Sequence, residues 1–355
     1  MTLTRWIMLI LAIILAIVIY LMAQYRMPQY RGPVSDHFNG LRFSNLDGVN
    51  APLDFKSFIK WRLQDKPTPW PAQRDNLFTP VVKQRVLGDD LQVTFVGHAT
   101  VLLQTQGLNI LTDPIWSERA SPVQFIGPKR VHEPGIDFAA LPPIDVVLIS
   151  HSHYDHLDIP TLQRLEQQFH PVFITGLGND TLLKRRLGSN ARIVSLDWWQ
   201  NHRVNTDMNI LFVPTVHWSK RDLFDTNKTL WGGFIIQSKG GNIYSAGDTG
   251  LGDGSIFSQI ADHGPFRLAL LPIGAYEPCW FMHYSHFNPA EAVKAFNIIK
   301  PQYAMAIHFG TFHLTNEGID EPIIALDKAL NEAQLTQQQF RVLQVGEEWQ
   351  VPLSY

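Results

Sequence analysis

The 355 residues carry 29 Lys and Arg against 32 Asp and Glu, a net charge of -3, and 45% of them are hydrophobic. A chain of this length can bury one large core or two smaller ones, and its near balance of charge excludes the basic field that draws in nucleic acid. The single cysteine, Cys279, rules out an intrachain disulfide and leaves any metal site to be built mainly from nitrogen and oxygen ligands.

The first element is apolar. Trp6 to Ala23, WIMLILAIILAIVIYLMA, has no charge and no Gly or Pro, and its length is about that of a helix crossing a hydrocarbon core of roughly 30 Å. Residues 1–25 are therefore expected to be an N-terminal transmembrane helix that anchors the chain in a membrane by a single pass. A cleaved signal peptide would have a shorter apolar run of roughly 7–15 residues, and Leu21-Met22-Ala23 is a poor small-residue cleavage site. Arg5 and the terminal amine stand against Arg26, Arg31 and Arg42, a balance that leans toward a cytoplasmic folded part. Residues 26–90, rich in Pro, Gly and aromatics as in KPTPWPAQRDN, sustain a period of neither 2 nor 3.6. They read as an ordered extension, mostly loop, packing on the domain that follows over residues 91–355.

From Leu91 the texture changes to short β-branched runs separated by turns: LQVTFV, TVLLQT, NILTD, IDVVLIS, NILFVPT, GFIIQS and NIYSAGD. Helical stripes alternate with these strands, one through Ile159, Leu162, Leu165 and Phe169, another through Val293, Phe296 and Ile299. Asn288-Pro-Ala-Glu291 has the residues of a helix start, with Asn at the N-cap and Glu three positions on. Asp158 is placed to cap the helix beginning at Ile159. Strands with helices outside them predict a layered α/β domain.

Four of these strands run into ligand-type residues at their C-terminal ends. Ser150 leads into HSHYDH, Pro214-Thr-Val into His217, Ala246-Gly into Asp248, and Ala306-Ile into His308. His151 and His153 flank one residue, so in an extended loop both can grip one ion, while Asp155 and His156 face a second position. His217 can complete the first set and His308 the second, with the Asp248 carboxylate bridging both. Imidazole and carboxylate suit Zn²⁺ and related ions, and two adjacent sets suggest two Zn²⁺ per chain.

The ordered set HxHxDH, then His, Asp and His, resembles the metallo-β-lactamase superfamily, whose fold is an αββα sandwich. Longer strings, among them GHATVLL, LTDPIWSERASP, LPPIDVVLISHSHYDHLD, HWSKRDLFDTNKTLWGGF, PIGAYEPCWFMHYSHFNPAEAV and MAIHFGTF, resemble N-acylphosphatidylethanolamine-hydrolysing phospholipase D. The likeness runs from about Thr94 to Glu348. It implies a dinuclear zinc hydrolase, acting through a metal-bridging hydroxide on a phospholipid substrate, that releases an N-acylethanolamine and phosphatidic acid. It also implies metal ligation by His151, His153, Asp155, His156, His217, Asp248 and His308, a catalytic role for Asp248, and substrate contacts from Tyr154 and His286, with His286 as a candidate proton donor. The same fold serves hydrolases of other phosphodiesters and of lactones, and a chain that had lost activity would be a lipid-binding scaffold, against which the complete ligand set argues.

Several residues around this set have two readings. Asp113 in LTDP can accept a hydrogen bond from a ligating histidine or cap a turn, and His98 in VGHAT can do similar supporting work or be a turn histidine. Lys129-Arg130 and Lys220-Arg221 suit phosphate oxygens or solvent. Trp198, Trp199, Trp218, Trp231 and Trp280 can line an acyl groove or fill a core. Oligomeric state, homodimer included, is left open by the sequence.

Overall fold

The computed structural model describes residues 3–25, 27–46, 48, 55–64, 66–222 and 224–353. Its first helix, α1 (Leu3–Tyr25), takes up the apolar run, with Trp6, Leu11, Ile14 and Tyr20 among its exposed side chains. Among the described residues no helix is long and apolar enough to cross a membrane, which overturns the expected transmembrane anchor over residues 1–25. A crossing takes about 20 consecutive apolar residues in one helix, and the described residues supply no such span.

A second helix, α2 (Phe55–Gln64), is the one helix described in the segment between α1 and the first strand. The other described residues of that segment lie in turns and irregular structure, with a bridge between Phe38 and Phe43. Both phenylalanines are buried in the main core.

The first half of the body comprises β1 (Leu91–Gly97), β2 (Thr100–Thr105), β3 (Leu108–Thr112), β4 (Val146–Ile149), α3 (Ile159–Phe169), β5 (Val172–Gly176), α4 (Asn179–Leu187) and β6 (Arg192–Leu196). The second comprises β7 (Asn201–Arg203), β8 (Met208–Val213), β9 (Gly233–Ser238), β10 (Asn242–Ser245), α5 (Ser255–Ala261), β11 (Phe266–Pro272), α6 (Cys279–Met282), α7 (Pro289–Ile299) and β12 (Tyr303–Ile307). The chain closes with α8 (Glu321–Glu332), β13 (Phe340–Arg341) and β14 (Glu348–Val351). Two seven-stranded sheets result, in the orders β14-β1-β2-β3-β4-β5-β6 and β13-β12-β11-β10-β9-β8-β7. In each, antiparallel neighbours give way to parallel ones, at β3–β4 in the first and β10–β11 in the second.

Alternation along the strands explains the layering. Val93, Phe95, Val101, Leu103, Ile110, Val146 and Leu148 join the core between the sheets, while Val96, Leu102, Leu111, Val147 and Ile149 point the other way, into a second core shared with Leu162 and Leu165 of α3 and Leu182 of α4. Successive side chains of a strand leave on opposite faces, and because both faces are covered these strands read as continuous apolar runs. Helices α7 and α8 cover the second sheet through Val293, Phe296, Leu326 and Leu330. The architecture is an αββα sandwich.

Two helix starts differ in how their caps are used. The Asn288 side chain accepts the Glu291 N–H and the Glu291 carboxylate accepts the Asn288 N–H, a complete capping box. Asp158 occupies the N-cap position of α3 but makes no side-chain cap bond. Its carboxylate instead accepts from the hydroxyls of Thr161 at 2.6 Å and Ser117 at 2.8 Å, tying α3 to the loop after β3.

Candidate metal centre

The expected ligands sit at the C-terminal ends of β4, β8, β10 and β12, where loops from both sheets meet. After β4 the chain folds into a tight turn, with His156 N–H and Leu157 N–H both donating to the His153 carbonyl, which turns His151 and His153 one way and Asp155 and His156 another. Asp248 follows Gly247, whose φ is +60° and where a Cβ would lie 2.6 Å from the Ser150 Cβ. Only glycine lets the β10 turn approach the β4 loop so closely. His308 itself has φ +60°, a strained value for a residue with a side chain, of the kind that clusters at functional sites.

Two groups of donor atoms converge. His153 Nδ1 lies 2.8 Å from His151 Nε2 and 3.3 Å from His217 Nε2. Asp155 Oδ2 lies 3.4 Å from both His156 Nε2 and His308 Nε2. Asp248 Oδ2 stands between the groups, 3.2 Å from His156 Nε2 and from His308 Nε2, 3.8 Å from His217 Nε2 and 3.9 Å from His151 Nε2. These seven residues could hold metal. Asp248 Oδ1, His156 Nε2 and His308 Nε2 are buried without a hydrogen-bond partner, a costly arrangement for a protein interior unless a cation or proton takes up the lone pairs.

Surrounding groups orient the rings. His156 Nδ1–H donates to Asp113 Oδ2 at 2.8 Å, and the same oxygen accepts from Ser150 Oγ at 2.7 Å. Since Ser150 Oγ gives its proton to Asp113, it can accept from His151 Nδ1, 2.9 Å away. His217 Nδ1–H donates to the Ser285 carbonyl at 2.8 Å. In each case the proton sits on Nδ1 and the Nε2 lone pair faces the cluster, the tautomer that ligation needs. Asp113 is thus beside a candidate ligand, and its turn holds φ +37°. His98 Nε2–H donates to Asp155 Oδ2 at 2.9 Å, and its ring lies 4.1 Å from that of His308.

Charge is concentrated here. Burial alone would raise the Asp248 carboxyl, but His156 and His308 beside it hold it well below the usual carboxylate range. Burial likewise opposes charge on His308, yet Asp248 and Asp155 push it up to about 9. Burial first, then neighbouring histidines, drives His151 well below the usual imidazole range. Asp155 and Asp248 therefore make this spot favourable for positive charge.

Tyr154 and His286 line the cavity that opens onto the cluster. It has a volume of about 610 Å³, and its walls include Phe58 and Trp61 of α2, Trp218, Phe281, Met282 and Leu314, with His153, Asp155 and Asp248 at the base. Tyr154 donates its hydroxyl to the Arg221 carbonyl at 3.0 Å, and His286 Nδ1 is 3.9 Å from Asp248 Oδ2. Burial brings His286 down to about 4 despite Asp248.

The basic pairs separate. Lys220 reaches the cavity, whereas Arg221 is buried and donates to the carbonyls of Ser152 and Leu157 at 2.7 and 2.9 Å, holding both shoulders of the ligand turn. Lys129 pairs with Glu118 at 2.8 Å, and Arg130 is buried among the carbonyls of Ser117, His132 and Ile115. Of the tryptophans, Trp198 and Trp231 are core, Trp218 lines the cavity, and Trp280 is exposed. Sequence reasoning passed over Ser150 Oγ, the Ser285 carbonyl and Asn45, whose Oδ1 accepts the His217 backbone N–H at 3.2 Å. Ser150 and Ser285 lie within the strings quoted above, but their partners are set by tertiary contact, and Asn45 lies in no motif.

Comparison with known proteins agrees with this architecture. Residues 108–309 match the family described as the Beta-lactamase superfamily domain. An uncharacterised protein of Mycobacterium tuberculosis is 41% identical over 299 residues, covering 81% of this chain and 78% of its own. N-acyl-phosphatidylethanolamine-hydrolyzing phospholipase D 1 of Caenorhabditis elegans is 33% identical over 304 residues, covering 79% of this chain and 83% of its own. A metallo hydrolase of the archaeon Ignicoccus hospitalis superposes with a TM-score of 0.56 at 22% identity, over 75% of this chain and all 100% of its own, a likeness of fold alone. The chain belongs to the metallo-β-lactamase superfamily, with N-acylphosphatidylethanolamine-hydrolysing phospholipase D among its homologues, and is a metal-dependent hydrolase of that fold.

Proposed function

We propose that the chain is a phospholipase D-type phosphodiesterase that holds two Zn²⁺ ions and cleaves N-acylphosphatidylethanolamine, or a similar phospholipid, to N-acylethanolamine and phosphatidic acid. The observation that carries this reading is the convergence of six further donors around the buried carboxylate of Asp248 at the base of an apolar cavity. Such a cavity, with a few polar groups at one end, suits a ligand with a long apolar part. The worm relative, a phospholipase D by name, supports the choice of substrate class. In this reading residues 91–355 form the hydrolase unit and residues 26–90 pack on it.

His151, His153 and His217 would hold one ion, Asp155, His156 and His308 the other, and Asp248 both. Bound zinc would supply Lewis acidity and would lower the pKa of a water toward about 7. The chain's own groups do the rest. Asp113, Ser150 and the Ser285 carbonyl keep three imidazoles in the ligating tautomer. The walls from Trp61 to Leu314 exclude bulk water and align the acyl chain.

In the reaction a water oxygen bonds to phosphorus, the bond from phosphorus to the ethanolamine oxygen breaks, and a proton passes to that oxygen. His286, neutral at pH 7 because of its burial, contributes an N–H to the phosphate or leaving oxygen rather than a standing imidazolium charge. Tyr154 shapes the mouth of the base. The zinc-loaded protein assayed on labelled N-acylphosphatidylethanolamine beside a lactone tests the reading, and turnover of the lactone alone would overturn it.

A further inference from the structure

We propose that Asn45 is a positioning residue for the candidate metal centre: by accepting the His217 backbone N–H it sets where the His217 ring meets His151 and His153. This rests on the reading above that those three histidines hold metal. Strand β8 ends at Val213, and of residues 214–217 only Val216 keeps a bridge, to Gly250, so the His217 N–H has no strand partner. A residue 172 positions earlier in the chain provides a replacement. Asn45 Oδ1 lies 3.2 Å from His217 N and 3.0 Å from Trp231 Nε1, and all three residues are buried, with exposures of 4%, 2% and 0%.

The His217 ring is then held at two points, through its backbone by Asn45 and through Nδ1 by the Ser285 carbonyl. A side chain with only one of these fixed could swing its Nε2 away from the 3.3 Å approach to His153. Asn45 is itself well fixed. The Phe43 N–H donates to the Asn227 carbonyl at 2.8 Å, and the Phe38 and Phe43 rings meet at 4.5 Å within the main core.

The same segment is also linked, through Asp225 and Arg221, to the ligand turn after β4. The Met27 N–H donates to Asp225 Oδ2 at 3.0 Å, and Asp225 Oδ1 accepts the Arg221 N–H at 2.9 Å. Arg221 in turn grips the carbonyls of Ser152 and Leu157. Residues 27–46 thus contact His217 directly through Asn45 and connect to the ligand turn after β4 through Asp225 and Arg221.

The test uses the full chain as wild type, N45A, N45D and W231F. Each is loaded with Co²⁺ for its visible absorption spectrum and with Zn²⁺ for retention against a graded chelator. Loss of a group that orients a ligand weakens metal binding by about 10–100-fold, and N45A is expected to show this together with an altered Co²⁺ spectrum. N45D, whose carboxylate accepts the same two N–H groups, should keep wild-type affinity within about threefold on the same scale, and W231F should keep both affinity and spectrum. N45A with a lowered Tm but wild-type affinity and spectrum would make Asn45 a structural residue only and overturn the proposal. Should N45A not fold, N45D decides, since a tenfold loss there would also overturn it. Wild type that retains no metal would remove the metal reading, and this proposal with it; wild type retaining two ions beside an unaffected N45A would remove this proposal alone.

Discussion

Replacing Asp248 by Asn keeps the shape of the side chain and removes its charge. Asp248 Oδ2 lies 3.2 Å from both His156 Nε2 and His308 Nε2. A cation bound against this carboxylate would interact with it over about 3 Å, and unit charges at that separation attract by about 5 kcal/mol at an effective dielectric constant near 20. The amide retains one acceptor oxygen and the pocket relaxes, so about half of this is lost in practice, roughly 2.5 kcal/mol. At about 1.4 kcal/mol per factor of ten that is close to a hundredfold in affinity for a cation held there. D248N should therefore release metal at about a hundredfold lower chelator concentration and lose at least that factor in turnover. Metal content measured by atomic emission after dialysis against graded chelator gives the first number, and near-ultraviolet circular dichroism shows that the fold is kept. A folded D248N that retains two ions at wild-type affinity, or turns over undiminished, would refute the bridging role.

Three other perturbations probe separate parts of the account. Asp113 accepts from Ser150 N at 2.7 Å, Ser150 Oγ at 2.7 Å and His156 Nδ1 at 2.8 Å, so D113A should weaken metal retention by about 10–100-fold in the same chelator titration, and unchanged retention would show that these bonds do not orient the ligand. W61A removes a cavity wall, and loss of one large apolar contact of about 1.5–3 kcal/mol should lower kcat/KM for a long-chain substrate by about ten- to a hundredfold, sparing a short-chain analogue; equal losses on both would contradict an acyl-binding wall. His37 lies between Asp36 and Asp197, its ring nitrogens 2.6 and 2.7 Å from their carboxylates. Burial opposes its charge, but Asp197 and Asp36 outweigh that and raise its pKa. A raised folded pKa contributes stability that is complete below the unfolded value of about 6.5 and is lost as pH climbs through the folded value. H37Q should accordingly lower Tm at pH 6 and not at pH 9, and an equal deficit at both pH values would contradict the ion pair.

The alternation of apolar strands from Leu91 and the ligand-type residues at the ends of β4, β8, β10 and β12 are visible without coordinates, because strand period and strand end are local properties. Strands β5, β6, β7, β11, β13 and β14 are not legible in the sequence. VFITG and RIVSL are five residues each, too short for periodicity to separate from helix, and β14 is a strand by virtue of pairing with β1 across most of the chain. Asp158 is the N-cap residue its position suggests, but its carboxylate is used on the Thr161 and Ser117 hydroxyls instead of a cap bond, and the Ser117 partner is supplied only by tertiary contact. Asn45 gave no sign at all, since a polar residue in a loop announces nothing about which backbone amide it will meet. The apolar run does form a helix, α1, although among the described residues no helix is long and apolar enough to cross a membrane.

The central claim is hydrolysis at phosphorus by water in a metal-dependent site. The most direct measurement is mass spectrometry of the lipid products formed by the zinc-loaded wild type in water enriched in ¹⁸O, with a chelated sample alongside. The account predicts one ¹⁸O atom in phosphatidic acid, none in the N-acylethanolamine, and no products from the chelated sample. Label in the N-acylethanolamine, or products formed equally without metal, would contradict it.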